Sequence, residues 1–364
     1  MMMWRAPGGG EGRLTTMVIT AVFNTIALAA DAAVLHQLRR RREPRPHALA
    51  LGVAGIAVLL AARILGEDGF GVLRLYCWAL FVHGPVLLLG TAVLLWKHRR
   101  GLALACGAGA AVILAIAADA FVVEPGALET VRYRIGSPKL HRAIRIVVLA
   151  DIQTDGVGER EREAFRRAMA ERPDVILLAG DYVQTERRRE VGSELAAAMR
   201  EAKLEAPLGI YAVGGNTDAD GWTAIFEGLP VRAEAATSVV ELDDVLITAL
   251  AWEDSLIPTL KIPETKKFHV VLGHAPDFAL GDVRAEMLVA GHTHGGQVQL
   301  PFIGPVLTLS RVPRRWAAGG ATDLGGGRTL VVSRGVGMER GHAPRLRFLC
   351  RPQVVVIDCV PTGK

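Results

Sequence analysis

The chain has 364 residues, 51% of them hydrophobic, a formal net charge of +5 and a mean hydropathy of +0.29. That is too long for one ordinary domain and too apolar for a wholly water-soluble enzyme, so two units are expected. Most of the excess positive charge sits in short loops between apolar stretches, so it gives no reason to expect a nucleic-acid partner.

The apolar residues concentrate in the first third. Residues 15–35, 47–65, 70–96 and 102–123 are each long and apolar enough to cross a bilayer, which takes about 20 helical residues. The first of these is too long for the apolar region of a signal peptide and lacks a small-residue cleavage site, so it reads as an anchor. Basic residues in short loops mark the cytoplasmic side. The first connection, "RRRREPR" (39–45), and the third, "WKHRR" (96–100), are basic, whereas "GEDG" (66–69) has neither Lys nor Arg. The chain before the first segment and everything after residue 123 are then extracytoplasmic. Arg5 and Arg13 oppose this orientation, and the 39–42 cluster outweighs them. Within the helices, Arg63 and Asp119 are expected to pair, and Asp31 to lie toward the basic cluster, as bundle-stabilising charges. With so few helices and no charged pathway, a transporter is not expected.

After residue 123 the pattern becomes that of a water-soluble α/β domain. Residues 124–140 read as a linker with an edge strand around 131–135, and 141–364 as a catalytic domain. "IRIVVLAD" is an apolar run whose first polar residue after the strand is Asp151, as in a strand buried on both faces. "EREREAFRRAMAERP" is an amphipathic helix closed by Pro173. "DVILLAGD" then ends in Asp181, "GIYAVGGNTD" in Asn216 and Asp218, "FHVVLGH" in His274, and "AEMLVAGHTH" in His292 and His294. The tail alternates "RTLVVSRG" and "QVVVIDCV" with glycine-rich turns. If extended, the strand between Cys350 and Cys359 separates them by about 30 Å, beyond disulfide reach, so both are expected to be unpaired.

In α/β sheets, ligands bind beyond the carboxyl ends of strands. Five strands therefore deliver carboxylates, an amide and imidazoles to one edge, a mixed oxygen and nitrogen set suited to Mn, Fe or Zn. Asp181, on a middle strand, is placed to bridge two ions. Glycines at 180, 215, 273 and 291 precede these residues and let the backbone turn sharply.

In order, "LADIQ", "GDYV", "GNTD", "LGHAP" and "GHTHGGQ" resemble the signatures of the calcineurin-like metallophosphoesterases, and more narrowly their membrane-anchored bacterial branch. There the last motif leads into a turn, an "SRG" segment and a final strand, here "LPFIGP", "VSRGVGMERG" and "RFLCRPQVVVI". The likeness covers residues 144–360. It implies a four-layer α/β-β/α sandwich, preceded here by a bundle of four transmembrane helices, and a dinuclear divalent-metal site. One metal (Mn, Fe, Zn or Mg) would take Asp151, Gln153, Asp181 and His294; the other would take Asp181, Asn216, His274 and His292. Asn216 and Asp218 are the expected catalytic residues. Two positions depart from the family pattern. Gln153 stands where it usually has histidine, which weakens the first metal. Thr217 replaces the histidine thought to protonate the leaving oxygen, and proton transfer of that kind contributes about 10²–10⁴-fold.

The resemblance implies an integral membrane protein of the bacterial inner membrane. It would hydrolyse phosphate esters or diphosphates of a small molecule or a lipid. UDP-diacylglucosamine of the lipid A pathway is one candidate, although that chemistry needs a cytoplasmic site. The alternative is a catalytically weak binding or sensing protein on the same fold, with Gln153 and Thr217 as its support. Arg311–Trp316, "RVPRRW", is a candidate headgroup contact, set against a reading as a solvated loop.

Overall fold

The computed structural model of the protein describes residues 9–41, 44–66 and 68–363. Arg5, Arg42 and Glu67, which enter the topology reading, lie outside them. The chain divides into two compact units, the first comprising Met1–Val122 with Glu339–Arg345, the second Val123–Met338 with Leu346–Lys364.

The first unit holds helices α1 (Gly9–Arg41), α2 (Pro44–Leu65), α3 (Gly69–Trp78), α4 (Gly84–Leu95) and α5 (Arg100–Ala118). A π-helical turn, Ala79–His83, joins α3 to α4 without a break, and another, Asp119–Val123, follows α5. Leu14–Arg40, Gly69–Leu95 and Arg100–Gly126 are each 27 residues, long and apolar enough to span a membrane. Ala50–Leu65 of α2 is also apolar but shorter. Asp31 is not turned toward the arginine cluster. Its carboxylate lies 2.7 Å from His83 Nδ1, and His83 Nε2 lies 2.9 Å from Asn24 Oδ1. All the hydrogen-bonding capacity of a buried imidazole is thereby met inside the bundle, which is what an apolar surrounding demands. The expected Arg63–Asp119 ion pair does not form among the described residues. The Glu339–Arg345 loop belongs to this unit; His342 Nδ1 lies 3.1 Å from Asp68 Oδ2, and Arg74 donates to the His342 carbonyl at 3.2 Å.

The second unit stacks two six-stranded sheets. Its strands are β1 (Glu129–Ser137), β2 (Ile144–Leu149), β3 (Val175–Ala179), β4 (Ile210–Val213), β5 (Val231–Glu234), β6 (Ser238–Glu241), β7 (Val245–Ala249), β8 (Phe268–Leu272), β9 (Met287–Ala290), β10 (Gln299–Leu300), β11 (Gly304–Pro305), β12 (Gly320–Gly325), β13 (Arg328–Val332) and β14 (Gln353–Pro361). The first sheet runs β1-β14-β2-β3-β4-β5 and the second β12-β13-β9-β8-β7-β6, with β10 and β11 forming a separate hairpin. Strands β2 to β5 are parallel, as are β7, β8, β9 and β13. The edge strand expected around 131–135 is β1, which is longer at both ends and pairs over all nine of its residues with β14.

Residues on β2 alternate between two cores because side chains on a strand point to opposite faces. Ile144, Ile146 and Val148 face the second sheet, meeting Ile247, Val270 and Val289. Val147 and Leu149 face outward onto Phe165 of helix Glu159–Ala170 and Leu195 of helix Arg188–Glu201. Across the second sheet, Val271, Leu288 and Leu330 are covered by Phe278 and Val283. The outer layer there is thin, made of the short helices Trp252–Ser255, Pro276–Leu280 and Arg314–Ala317 and their loops. All four cysteines are free.

Candidate metal centre

The carboxyl ends of β2, β3 and β4 in one sheet and of β8 and β9 in the other point to a common edge. Asp151, Gln153, Asp181, His292 and His294 all have left-handed backbone, with φ between 40° and 67°. A non-glycine residue held there costs of order 1–3 kcal/mol, so five together mark a place where side-chain direction overrides backbone preference. The sheets are tied at this edge. The His292 N–H of the second sheet donates to Asp151 Oδ1 of the first at 2.9 Å, while within each sheet the Gly291 N–H donates to the His274 carbonyl at 2.9 Å and the Gln153 N–H to the Asp181 carbonyl at 2.8 Å.

Asp181 lies at the centre. Its Oδ2 is 3.4 Å from His274 Nε2, and its Oδ1 accepts the Thr217 N–H at 2.8 Å. Asp151 Oδ1 stands 4.0 Å from His274 Nε2 and 3.9 Å from His294 Nε2. Asn216 Oδ1 is 3.3 Å from His274 Nε2, and the His274 and His292 rings are 5.1 Å apart. The nitrogens on the far sides of two rings are fixed by backbone carbonyls, His274 Nδ1 by Ala179 at 2.6 Å and His292 Nε2 by Leu309 at 3.1 Å. Such outer contacts set which nitrogen faces inward. Gly215 admits no side chain, because a Cβ there would lie 2.2 Å from Asp181 Oδ1.

Gln153 is fully buried at the edge. Asp218 has both carboxylate oxygens engaged by backbone. Oδ2 accepts from Asp181 N at 2.8 Å and Gly215 N at 2.9 Å, and Oδ1 accepts from Tyr182 N at 2.9 Å. These bonds tie the loops that follow β3 and β4 together. The buried Thr217 hydroxyl has no hydrogen-bond partner among the described residues.

The electrostatics follow from burial and crowding. Burial pushes the Asp151 carboxyl up to about 7, and Asp181 adds to the effect. Burial and then Asp181 raise Asp218 to about 7. Burial works against the charged form of His274, yet Asp181 and Asp151 outweigh it and lift it to about 9. Burial also opposes ionisation of Asp181, but His274 facing it holds it below the usual carboxylate range. His292 falls to about 4 through burial and the His274 charge, and His294 falls well below its ordinary value through burial and Arg347.

Asp151, Asp181 and His294 offer ligand atoms all within 4.8 Å of one another. Two buried carboxylates at that spacing are costly without a cation, and with imidazoles beside them the donor set fits a divalent metal. Residues 144–296 match the family model of the calcineurin-like phosphoesterases.

The chain carries a calcineurin-like phosphoesterase domain.

It is 28% identical over 265 residues, covering 66% of this chain and 88% of the relative, to the uncharacterized metallophosphoesterase YkuE of Bacillus subtilis (strain 168). It is also 28% identical over 256 residues, covering 65% and 90%, to phosphodiesterase YaeI of Escherichia coli (strain K12). Against the crystal structure of TT1561 of Thermus thermophilus the TM-score is 0.34 at 10% identity, covering 53% of this chain and 90% of that one. The calcineurin-like domain makes this protein a metal-dependent phosphoester hydrolase.

Sequence reasoning missed part of the support around the site. Trp252 packs 5.4 Å from both the His274 and the His292 rings. Arg347 is fully buried and has no carboxylate partner among the described residues; it donates to the carbonyls of Gly337 at 2.6 Å, Arg334 at 2.7 Å and Cys350 at 2.9 Å. The loop it clasps backs the first metal-competent residue, for the Gly337 N–H donates to the Asp151 carbonyl at 2.7 Å. The "SRG" and "RFLC" signatures mark both halves of this clasp, but nothing in their composition states its role.

Proposed function

We propose that the protein is a membrane-anchored phosphodiesterase using two divalent metals, with one site built from Asp151, Gln153, Asp181 and His294 and the other from Asp181, Asn216, His274 and His292. The observation that carries this reading is Asp181 facing His274 at 3.4 Å with Asp151 and His294 gathered around it. When bound, a metal pair supplies charge neutralisation of a phosphoryl group and a water of lowered pKa. The chain's own residues do the rest. The Ala179 and Leu309 carbonyls hold the imidazoles in their ligating tautomers, and Asp218 positions the loops that present Asp181 and Asn216. Thr217 cannot donate a proton at neutral pH, which favours substrates whose leaving group needs none. The phosphodiester bond is suggested by the likeness to YaeI, described as a phosphodiesterase.

The helices would anchor the catalytic unit on the extracytoplasmic face of a bacterial inner membrane, with phosphorylated lipids as the substrate class. That side stands against UDP-diacylglucosamine. The sensing alternative rests on Gln153 and Thr217. Hydrolysis of bis-p-nitrophenyl phosphate by the full chain in detergent with Mn²⁺ separates the two readings. The expected result is turnover that chelation abolishes, that His292→Ala lowers by about 10³-fold or more, and that Thr217→His raises. Metal binding with no turnover under any divalent ion would establish the sensing protein instead.

A further inference from the structure

The β10–β11 hairpin and the limb that follows it present Leu300, Phe302, Ile303, Val306, Leu307 and Leu309 to solvent. Phe302, at the tip, is 109% exposed, and Ile303 is 57% exposed. This is a built element and no loose loop. Gln299 pairs with Pro305 and Leu300 with Gly304, while Gln299 N donates to the Phe348 carbonyl and Phe348 N to that of Gln297, both at 2.9 Å. Phe302 and Leu309 hold left-handed backbone, with φ of 68° and 53°, so the turn keeps a bulky aromatic outward against its local preference. Contiguous exposed apolar surface of this kind marks a place where something else docks.

The charge beside the patch identifies what docks. Between Val298 and Thr322 there is no Asp or Glu, but there are three exposed arginines, Arg311, Arg314 and Arg315. Only Arg311 approaches a carboxylate, Asp277, at 4.0 Å, and Arg314 and Arg315 form no ion pair among the described residues. An apolar tip with a cationic flank matches the boundary between acyl chains and anionic headgroups. A second copy of the chain fits poorly, since a two-fold contact would set an arginine-only surface against itself. The limb also reaches the metal edge, because the Leu309 carbonyl holds His292 Nε2.

We propose that this hairpin inserts its apolar tip into an anionic lipid surface and so brings the metal edge against the headgroups of phosphorylated lipids lying in that surface. The choice of substrate class rests on the hydrolase reading above; the docking does not.

The test uses the full chain carrying Phe302→p-benzoylphenylalanine, with Ile303→p-benzoylphenylalanine as a second version. Each is reconstituted in phosphatidylcholine vesicles with about 30% phosphatidylglycerol and irradiated. The expected result is a hairpin peptide bearing the mass of one phospholipid. Yield should be about tenfold above that of Arg284→p-benzoylphenylalanine and should fall several-fold in vesicles without phosphatidylglycerol. Arg284 suits as the comparison because it is exposed and precedes β9, at the sheet end away from the site. Cross-linked dimers in place of lipid adducts, or no adduct at 302 and 303, overturn the docking. Turnover of bis-p-nitrophenyl phosphate, measured on the unirradiated samples, separates the outcomes: turnover without adducts sinks the docking alone, and adducts without turnover leave the docking standing while the hydrolytic reading falls.

Discussion

At the scale of single residues, the histidines at this edge divide by charge. In the metal-free site His274, lifted to about 9, carries a proton at neutral pH, while His292, lowered to about 4, does not. Asp151, raised to about 7, is half protonated there. Ligands must be deprotonated to bind a metal. Loading at pH 7 should therefore release more than one proton, and affinity should climb as pH rises from 6 and level off above 9. Between 7 and 9, as Asp151 finishes titrating and His274 comes to dominate, the slope should approach about tenfold per pH unit. Calorimetry of Mn²⁺ binding in buffers of differing ionisation enthalpy reads this directly; an unchanged heat across buffers would contradict it. These residues were legible in the sequence because strand ends followed by Asp, Asn or His are visible as apolar runs with a polar stop. The tie that Asp218 makes to the neighbouring amides was not legible there. A carboxylate that faces a metal edge and one that faces backbone amides look the same in "GNTD", and only the fold of the neighbouring loop tells them apart.

At the scale of elements, the site depends on loops that are short, strained and held from behind. Asp218→Ala would leave the N–H groups of Asp181, Tyr182 and Gly215 without their acceptor. An unsatisfied buried donor costs about 1–3 kcal/mol, so a loss of about 3 kcal/mol in stability is expected, with weaker metal binding. Asp218→Asn keeps one oxygen acceptor and should recover about half of the loss. Thermal unfolding of the two variants checks this, and equal melting temperatures for Asp218→Ala and the parent would refute the tie. Helices and strands, the edge strand β1 among them, were readable from their periodicity, but two features of this scale were not. The Asp31–His83–Asn24 contact joins residues 52 and 59 positions apart, which no local pattern records. The clasp by Arg347 uses backbone carbonyls, and these leave no trace in side-chain identity.

At the scale of the molecule, the strand order places β14, the last strand in the chain, between β1 and β2. Val354, Val355, Val356, Ile357 and Cys359 on it are fully buried. Removing five such side chains from the core forfeits on the order of 10 kcal/mol, comparable with the whole stability of a domain. A chain terminated after Arg351 should thus fail to give a protease-resistant catalytic unit, and a resistant core of native size would show that β14 is dispensable. The topology is tested separately by a reporter active on one side of a membrane and fused after Lys364; activity on the cytoplasmic side would reverse the orientation proposed above. The interleaved strand also bears on biosynthesis. During translation, β2 emerges long before the neighbour that will sit beside it, leaving a row of open amides and carbonyls in the nascent sheet. Closure must wait until that late segment clears the ribosome, so the first sheet cannot assemble strand by strand in the order of its synthesis.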